Sequence, residues 1–224
     1  MTHDVVQETS VGFGTGSECD WAASNSAVVE IRIADISVAE NAKTVASLIR
    51  IVNSAYEAEA DLFIPGYHRT SEAEIVKLLR EGVMAVAYMP VEGGLTHQSI
   101  MSASLSSTNK HMKAVGCVYV KQISARLGTF GMLALEPEHQ GGGLGRAMVH
   151  FAEEHCRRKR CTVMQLELLV PITYEHALKS RLQAWYQRLG YRVVKHGSLD
   201  QQYPNLARQL IGTTVCRVFQ KDIV

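Results

Sequence analysis

The chain has 224 residues, and 46% of them are hydrophobic, which suits one domain with a sizeable core, with or without a tail. Its 23 basic and 22 acidic side chains give a formal net charge of +1, so neither nucleic acid nor a strongly charged protein is indicated as a partner. It contains no 18-residue apolar run and no basic-then-apolar leader, so we expect neither a membrane span nor a secretory signal.

The first predicted elements are a strand and a helix. Residues 1–27 are rich in Gly, Ser, Thr and Asp without periodicity, and we expect a disordered tail. Val28–Ile33 alternates apolar and charged residues, which predicts a strand. Ser37 and Glu40 have the spacing of a capping box, which predicts a helix that begins near Val38.

A second capping box, Ser71 with Glu74, predicts another helix, which should end at Gly82. Val83–Met89 is a predicted strand. A run rich in Gly, Ser, Thr and Asn follows, at about 91–113, and we interpret it as a flexible insertion between two strands of a hairpin. The pattern is compatible with either a disordered segment or a substrate lid.

The second half of the chain alternates strands and helices. Strands are predicted at Ala114–Gln122, Gly128–Leu135, Val163–Val170, Tyr191–Lys195 and Thr213–Phe219, and helices at Leu144–His155 and Leu178–Leu189. The order β-α-α-β-β-β-α-β-α-β-β predicts a single α/β domain over residues 28–224. Its mixed central sheet should have six to seven strands with helices on both faces.

Five scattered cysteines form no paired spacing, which favours reduced thiols and a cytoplasmic protein, with the nucleus as the alternative. Two of them, Cys156 and Cys161, lie close to His150 and His155 in the sequence. Their spacing matches no zinc pattern, so we expect no metal site.

A glycine-rich segment, Gln140–Arg146, lies between a predicted strand and a predicted helix. Four glycines in five positions leave almost no Cβ atoms to hold a ligand away from the backbone. The N–H groups at the helix start can point at one anion, and the helix dipole adds positive charge there. The segment therefore predicts a phosphate or pyrophosphate site, unless it is only a tight turn.

The glycine pattern fits neither a Walker loop nor a dinucleotide fingerprint, because Arg146 stands where each of those patterns needs a glycine. It does fit Q-x-x-G-x-G, filled by Gln140, Gly143 and Gly145. This resembles the acetyl-coenzyme A loop of the GCN5-related N-acetyltransferase (GNAT) superfamily.

A second motif, Trp185–Tyr191, resembles the aromatic-Tyr-x-x-x-Gly-aromatic segment at a helix end of that superfamily. In many members the tyrosine faces the coenzyme sulfur, and here that residue is Tyr186. The alternative is a half-buried residue at a helix end with its hydroxyl in water. The resemblance covers about residues 28–222, and His176–Tyr191 resembles a fungal subgroup of unknown substrate.

The resemblance implies acetyl-CoA as a co-substrate, whose acetyl group moves from the thioester to a primary amine of a small molecule. A peptide or protein amine is the alternative acceptor. The coenzyme-binding residues it implies are Met132, Leu133, Ala134, Leu135, Gln140, Gly141, Gly142, Gly143, Leu144, Gly145, Arg146 and Tyr186. A backbone N–H near Leu133 would stabilise the oxyanion.

Tyr186 is the predicted acid that protonates the leaving thiolate. Glu167 is the candidate base, because it shares a strand face with Gln165 beside the predicted coenzyme strand; the alternative is an outward, solvated carboxylate. His176 is a candidate substrate contact, since acceptor pockets are built from loops, here Leu62–His68, the insertion and Pro171–His176.

Two departures from the superfamily pattern leave another function open. Lys179 stands where many members carry an Asn that holds the pantetheine arm, and Thr129 stands where histone-type members carry a base Glu. A binding module for acyl-CoA without catalysis therefore remains an alternative to the enzyme. We expect a monomer or a homodimer.

Overall fold

Seven β-strands form the framework of the protein, which is described here in a computed structural model that covers residues 29–91 and 112–224. The strands are β1 (Glu30–Ile33), β2 (Met84–Pro90), β3 (Met112–Gln122), β4 (Leu127–Leu135), β5 (Val163–Pro171), β6 (Arg192–Ser198) and β7 (Thr214–Asp222). The predicted tail and nearly all of the predicted insertion lie outside the described residues.

The helices are α1 (Ala42–Tyr56), α2 (Glu72–Arg80), α3 (Leu144–Arg158), α4 (Ala177–Arg188), α5 (Leu199–Gln202) and α6 (Pro204–Ala207). Within residues 29–91 and 112–224, three 3₁₀ helices accompany them, at Ile36–Glu40, Glu57–Leu62 and Pro137–His139. Among the described residues, no helix combines the length and the apolar composition that crossing a bilayer requires. The same residues contain no group of three or more His, Cys, Asp or Glu side chains placed to hold a metal ion.

The strands form one sheet in the order β1-β2-β3-β4-β5-β7-β6. Only β4 and β5 pair in parallel, and the other neighbours are antiparallel. The predicted mixed sheet and order of long elements are confirmed. The strands flanking the insertion form the expected antiparallel pair, with Pro90 opposite Met112.

Helices cover both faces of the sheet, as predicted. α1 and α2 pack on the face that carries Met132 and Ala134, whereas α3 and α4 pack on the face that carries Phe130 and Leu133. A smaller apolar cluster joins β5 and β7 to the ends of three connecting segments, at Leu62, Leu199 and Leu206. The apolar periodicity of the strands and helices therefore builds a core on each side of the sheet.

One predicted helix start is wrong. Ser37 does not cap a helix; instead its N–H donates to Asp35 Oδ1 at 2.8 Å, and Ile36–Glu40 is a 3₁₀ turn. α1 begins at Ala42, two residues after the turn ends, where Asn41 Oδ1 accepts from the Thr44 N–H at 3.1 Å. Short polar side chains favour local turns over helix, and here two of them fix the start. The second capping box is confirmed, since Ser71 Oγ accepts from the Glu74 N–H at 3.3 Å.

Candidate active site

β4 and β5 separate from each other halfway along their length. Their ladder has three residue pairs and ends where Thr129 lies opposite Gln165, although β4 continues to Leu135 and β5 to Pro171. Beyond that point the facing edges of the two strands are not paired with each other. An extended ligand can add to such an edge through backbone hydrogen bonds, which is the predicted mode of pantetheine binding at residues 132–135.

A β-bulge in β4 lies just beyond the point of separation. Cys117 pairs with Ala134 and Tyr119 with Gly131, so β4 carries one extra residue between these pairs. Met132 has φ +49° and is fully buried, a conformation that a non-glycine residue rarely adopts. Bulges redirect the backbone groups beside them, and such strain is common at functional sites. The N–H of Leu133, the predicted oxyanion donor, immediately follows the strained residue.

The glycine loop presents the N-terminus of α3 to solvent. Gly143 is the N-cap residue, with φ +89°, and no side chain accepts from the first-turn N–H groups. Gly141 also has positive φ, +79°, and Gly141–Gly143 are exposed. The first turn carries no acidic side chain that would repel an anion. These features fit a diphosphate.

Gln140 has a structural contact within this loop. Its Nε2 donates to the Leu135 carbonyl oxygen at 3.2 Å, which ties the loop to the end of β4. Leu144 and Gly145 are buried at the start of α3. Sequence reasoning assigned all three residues to the coenzyme. In the structure, the Gln140 side chain supports the loop, and Leu144 and Gly145 are buried.

Tyr186 lies beside the point where β4 and β5 separate. Its ring is fully buried, with its centroid 6.2 Å from that of Phe130, the residue that follows the last paired residue of β4. Phe219 and Tyr191 lie at the same centroid distance. The alternative interpretation, a half-buried ring with a wet hydroxyl, is wrong. The predicted role as an acid stays a prediction.

The other residues of the second motif hold the end of α4. Gly190 has φ +93°, and the N–H of Tyr191 donates to the Tyr186 carbonyl at 3.0 Å, which closes the helix. The Tyr191 hydroxyl donates to Glu153 Oε1 at 2.8 Å, and Lys221 contacts the same oxygen at 2.8 Å. Burial, and then the Glu153 charge, raises the pKa of Tyr191. The spacing of the motif thus fixes the orientation of Tyr186.

Glu167 lies on the opposite face of the sheet from Tyr186. It alternates with Leu166 and Leu168, which pack in the same core cluster as Tyr186, and it shares its face with Gln165, as predicted. The Tyr203 hydroxyl donates to Glu167 Oε2 at 2.7 Å. The carboxylate is therefore half-buried and hydrogen-bonded rather than fully solvated.

Sequence reasoning missed Tyr203, because it lies in the polar crossover between β6 and β7, where we predicted no helix. Two short helices, α5 and α6, flank it there. Burial, and then the charge of Glu167, raises the pKa of Tyr203, so its hydroxyl keeps its proton and donates.

A buried ion pair joins α4 to the 3₁₀ helix Glu57–Leu62. Lys179 Nζ lies 2.6 Å from Glu59 Oε2, and both side chains are inaccessible to solvent. Next to it, Asp61 accepts from the Tyr174 hydroxyl at 2.9 Å and lies 3.1 Å from His176 Nε2. His176, the predicted acceptor contact, is therefore in contact with Asp61. The sequence does contain a signal for these contacts that we overlooked, because acidic residues alternate at positions 57, 59 and 61.

A pocket lies beside α4, at the end of β5. It has a volume of about 430 Å³ and lies between α4, residues 170–176 and Arg217. No residue of β4 or of the glycine loop lines it. It is therefore lined by segments other than those predicted to bind the coenzyme.

Comparison with known proteins agrees with this geometry. Residues 108–193 match the family model of an acetyltransferase (GNAT) domain, a segment that contains the glycine loop and Tyr186. No curated protein matches the chain significantly.

Three solved structures share the fold. A chain of the NatC complex bound to Gag peptide and CoA is 18% identical, with a TM-score of 0.53, over 88% of this chain and 99% of that chain. Ard1 from Thermoplasma volcanium is 14% identical, with a TM-score of 0.53, over 88% and 98% of the two chains. yncA from Salmonella typhimurium, solved with acetyl-CoA, is 14% identical, with a TM-score of 0.53, over 88% and 95%. The described chain therefore has the fold of the GNAT acetyltransferases.

Proposed function

We propose that this protein transfers the acetyl group of acetyl-CoA to a primary amine. One observation carries the proposal: the unpaired edge of β4 leads from the uncapped N-terminus of α3 to the ring of Tyr186. A ligand that has a diphosphate, an extended arm and a reactive end fits that order of features. The match of residues 108–193 to an acetyltransferase domain supports it.

The described residues suit the coenzyme. The exposed N–H groups of Gly141–Gly143 would bind its diphosphate, and the backbone of residues 132–135 would pair with its pantetheine arm. When bound, the coenzyme supplies the acetyl group as a thioester. Positioning the two reactants can contribute on the order of 7–11 kcal/mol to lowering the barrier.

Two proton transfers are assigned to side chains on opposite faces of the sheet. An alkyl amine with a pKa near 10 is only about 0.1% neutral at pH 7, so its proton must be removed. Glu167, held by Tyr203, would accept that proton. Tyr186 would donate a proton to the departing sulfur, and such assistance is typically worth about 10²–10⁴-fold in rate.

The first prediction concerns turnover. Incubated with acetyl-CoA and a panel of small amines, polyamines, amino acids and peptides, the protein should release thiol only when an acceptor amine is present, and the acceptor should gain one acetyl group by mass spectrometry. Binding of acetyl-CoA by calorimetry without acetylation of any amine would instead establish an acyl-CoA-binding module.

The second prediction concerns Tyr186. Tyr186→Phe keeps the buried ring and removes only the hydroxyl, so kcat should fall by about 10²-fold or more while the Kd for acetyl-CoA stays within about twofold. Tyr191→Phe is the matched control, because this ring belongs to the same cluster but its hydroxyl is bound to Glu153. It should lower stability and leave kcat unchanged. Equal kcat values in the two variants would remove Tyr186 from the reaction.

A further inference from the structure

The sheet consists of two halves that meet along a short line. β4 belongs to the antiparallel set β1-β2-β3-β4, and β5 pairs with β7 along its whole length. Three residue pairs join the halves, Leu127–Thr129 of β4 with Val163–Gln165 of β5, and are called the seam below. The predicted coenzyme strand, at residues 132–135, and the proposed base, Glu167, therefore lie on different halves, beyond the same end of the seam.

A side chain bonds β4 to β5 at the last pair of the seam. Thr129 Oγ1 donates to the Gln165 carbonyl oxygen at 3.2 Å, and Thr129 is buried, with 7% of its surface exposed. Gln165 is also bound from its other side, because its Oε1 accepts from Gln220 Nε2 of β7 at 2.9 Å. β5 is thus held on both edges at Gln165, whereas two residues later, at Glu167, it no longer pairs with β4.

The Thr129 hydroxyl lies on the face of the sheet that carries the proposed base. Phe130 packs in the core cluster of α3 and α4, so alternation along β4 directs the Thr129 side chain to the opposite face. Glu167 shares that opposite face, since its neighbours Leu166 and Leu168 pack in the same cluster as Phe130. The bond is therefore made on the same face as the base and two residues before it along β5.

The Thr129 hydroxyl does not replace the base Glu that histone-type members of the superfamily carry at this position. It donates its single proton to a backbone carbonyl, and an alcohol is not a base near neutral pH. Because its partner is the main chain of β5, the bond acts on the position of that strand relative to β4. Paired strands lie about 4.8 Å apart, and loss of a bond at the open end of the seam lets them separate earlier.

We propose that Thr129 is a positioning residue, whose bond to the Gln165 carbonyl sets the opening between β4 and β5 and thereby the distance from the coenzyme thioester to the Glu167 carboxylate. The inference rests on the proposed function and adds to it a residue that touches neither reactant. Small misplacements of reacting groups lower a rate strongly. Loss of the bond should therefore lower kcat, whereas the diphosphate site at the start of α3 is unchanged and acetyl-CoA should still bind.

Two variants test the hydroxyl. Thr129→Val keeps the shape of the side chain and removes the bond, so kcat should fall by about tenfold or more while the Kd for acetyl-CoA in calorimetry stays within about twofold. Thr129→Ser keeps the hydroxyl and should recover most of that loss. The fall in Thr129→Val should be by the same factor across the pH range, because the titrating acid and base are unchanged.

Thr162→Val is the matched control. The Thr162 hydroxyl accepts from Arg126 Nε at 3.2 Å, so it joins the residues just before β4 and β5, at the closed end of the seam. Its removal also breaks a hydrogen bond between the two halves, yet kcat should be unchanged. Equal kcat values in Thr129→Val and the wild type, or an equal fall in both valine variants, would overturn the inference while leaving the acetyltransferase intact.

Amide hydrogen exchange makes the outcome independent of turnover. Exchange at residues 130–135 and 166–170, beyond the open end of the seam, should be faster in Thr129→Val than in the wild type or in Thr162→Val. If the wild type acetylates no amine, the proposed function fails, yet this difference would still support the Thr129 bond as the contact that sets the opening. Unchanged exchange in Thr129→Val would overturn the inference whether or not the protein is an enzyme.

Discussion

Lys179 shows how one substitution changes what holds the site together. The resemblance to the superfamily predicts an Asn at this position, but here a Lys ammonium is paired with Glu59 in a fully buried contact. A charge removed from water requires its partner, because an isolated buried charge is far less stable than the pair. The residue therefore fixes the 3₁₀ helix Glu57–Leu62 against α4, at the predicted acceptor side.

Removing one partner should be worse than removing both. Lys179→Met leaves the Glu59 carboxylate buried without its cation, and we expect the free energy of unfolding in urea to fall by about 3–5 kcal/mol. The double variant Lys179→Met, Glu59→Leu should recover most of that loss, because apolar side chains of similar size often replace a buried pair without penalty. A double variant as unstable as the single one would show that the pair contributes net stability.

At the scale of an element, the glycine loop combines positive-φ glycines with the proposed diphosphate site. Gly143 has φ +89° at the start of α3, where an L-residue is disfavoured by about 1–2 kcal/mol. The same residue lacks a side chain beside the exposed N–H groups. A substitution of Gly143 would therefore affect both stability and coenzyme binding. The two effects can be distinguished only by comparison with another glycine of similar backbone conformation.

Gly82 provides that control. It has φ +66° after α2, and a Cβ atom added there would meet no other heavy atom within 4 Å. We expect Gly143→Ala and Gly82→Ala to lower the free energy of unfolding by similar amounts, about 1–2 kcal/mol. Only Gly143→Ala should weaken acetyl-CoA binding, by about tenfold or more in calorimetry, because the added methyl group holds the diphosphate away from the helix. If both variants bind acetyl-CoA as tightly as the wild type, the diphosphate binds elsewhere.

At the scale of the whole molecule, a salt bridge ties α1, on one face of the sheet, to the end of β4. Arg50 of α1 forms a bidentate contact with Glu136, whose side chain is only 10% exposed. This hydrogen bonding lowers the pKa of Glu136 below its ordinary value of 4.5, against the opposing effect of burial. The contact links α1 to the residue that follows β4, four positions before the glycine loop begins at Gln140.

Acid should weaken this connection. Because the folded pKa lies below the unfolded one, the stabilisation is fully present above about pH 4.5 and is lost as the pH falls through the folded value. We expect the unfolding free energy of the wild type to fall more steeply between pH 5 and pH 3 than that of Glu136→Gln. The difference should be on the order of 0.5–1 kcal/mol, since Arg50 remains largely exposed. Parallel curves for the two proteins would exclude this contribution.

Local patterns in the sequence were sufficient for most of the fold. Alternation in strands such as β5, the cap at Ser71 and the glycine at the end of α4 depend on neighbours a few residues away. The wrong helix start at Ser37 is also a local effect. Asp35 caps the 3₁₀ turn and Asn41 caps α1, and the capping-box motif alone did not show which of the nearby polar residues begins the helix. The short helices around Tyr203 have too few residues to show a period.

What the sequence by itself determined is the order of elements, the mixed sheet and the two motifs, because periodicity, turn chemistry and motif spacing are written along the chain. Only the tertiary structure decided where β4 leaves β5, which face Glu167 shares with Tyr203, and that Glu59 is the partner of Lys179. These contacts join residues from 36 to 120 positions apart in the sequence, and their formation depends on packing of the whole domain. No local pattern encodes that packing.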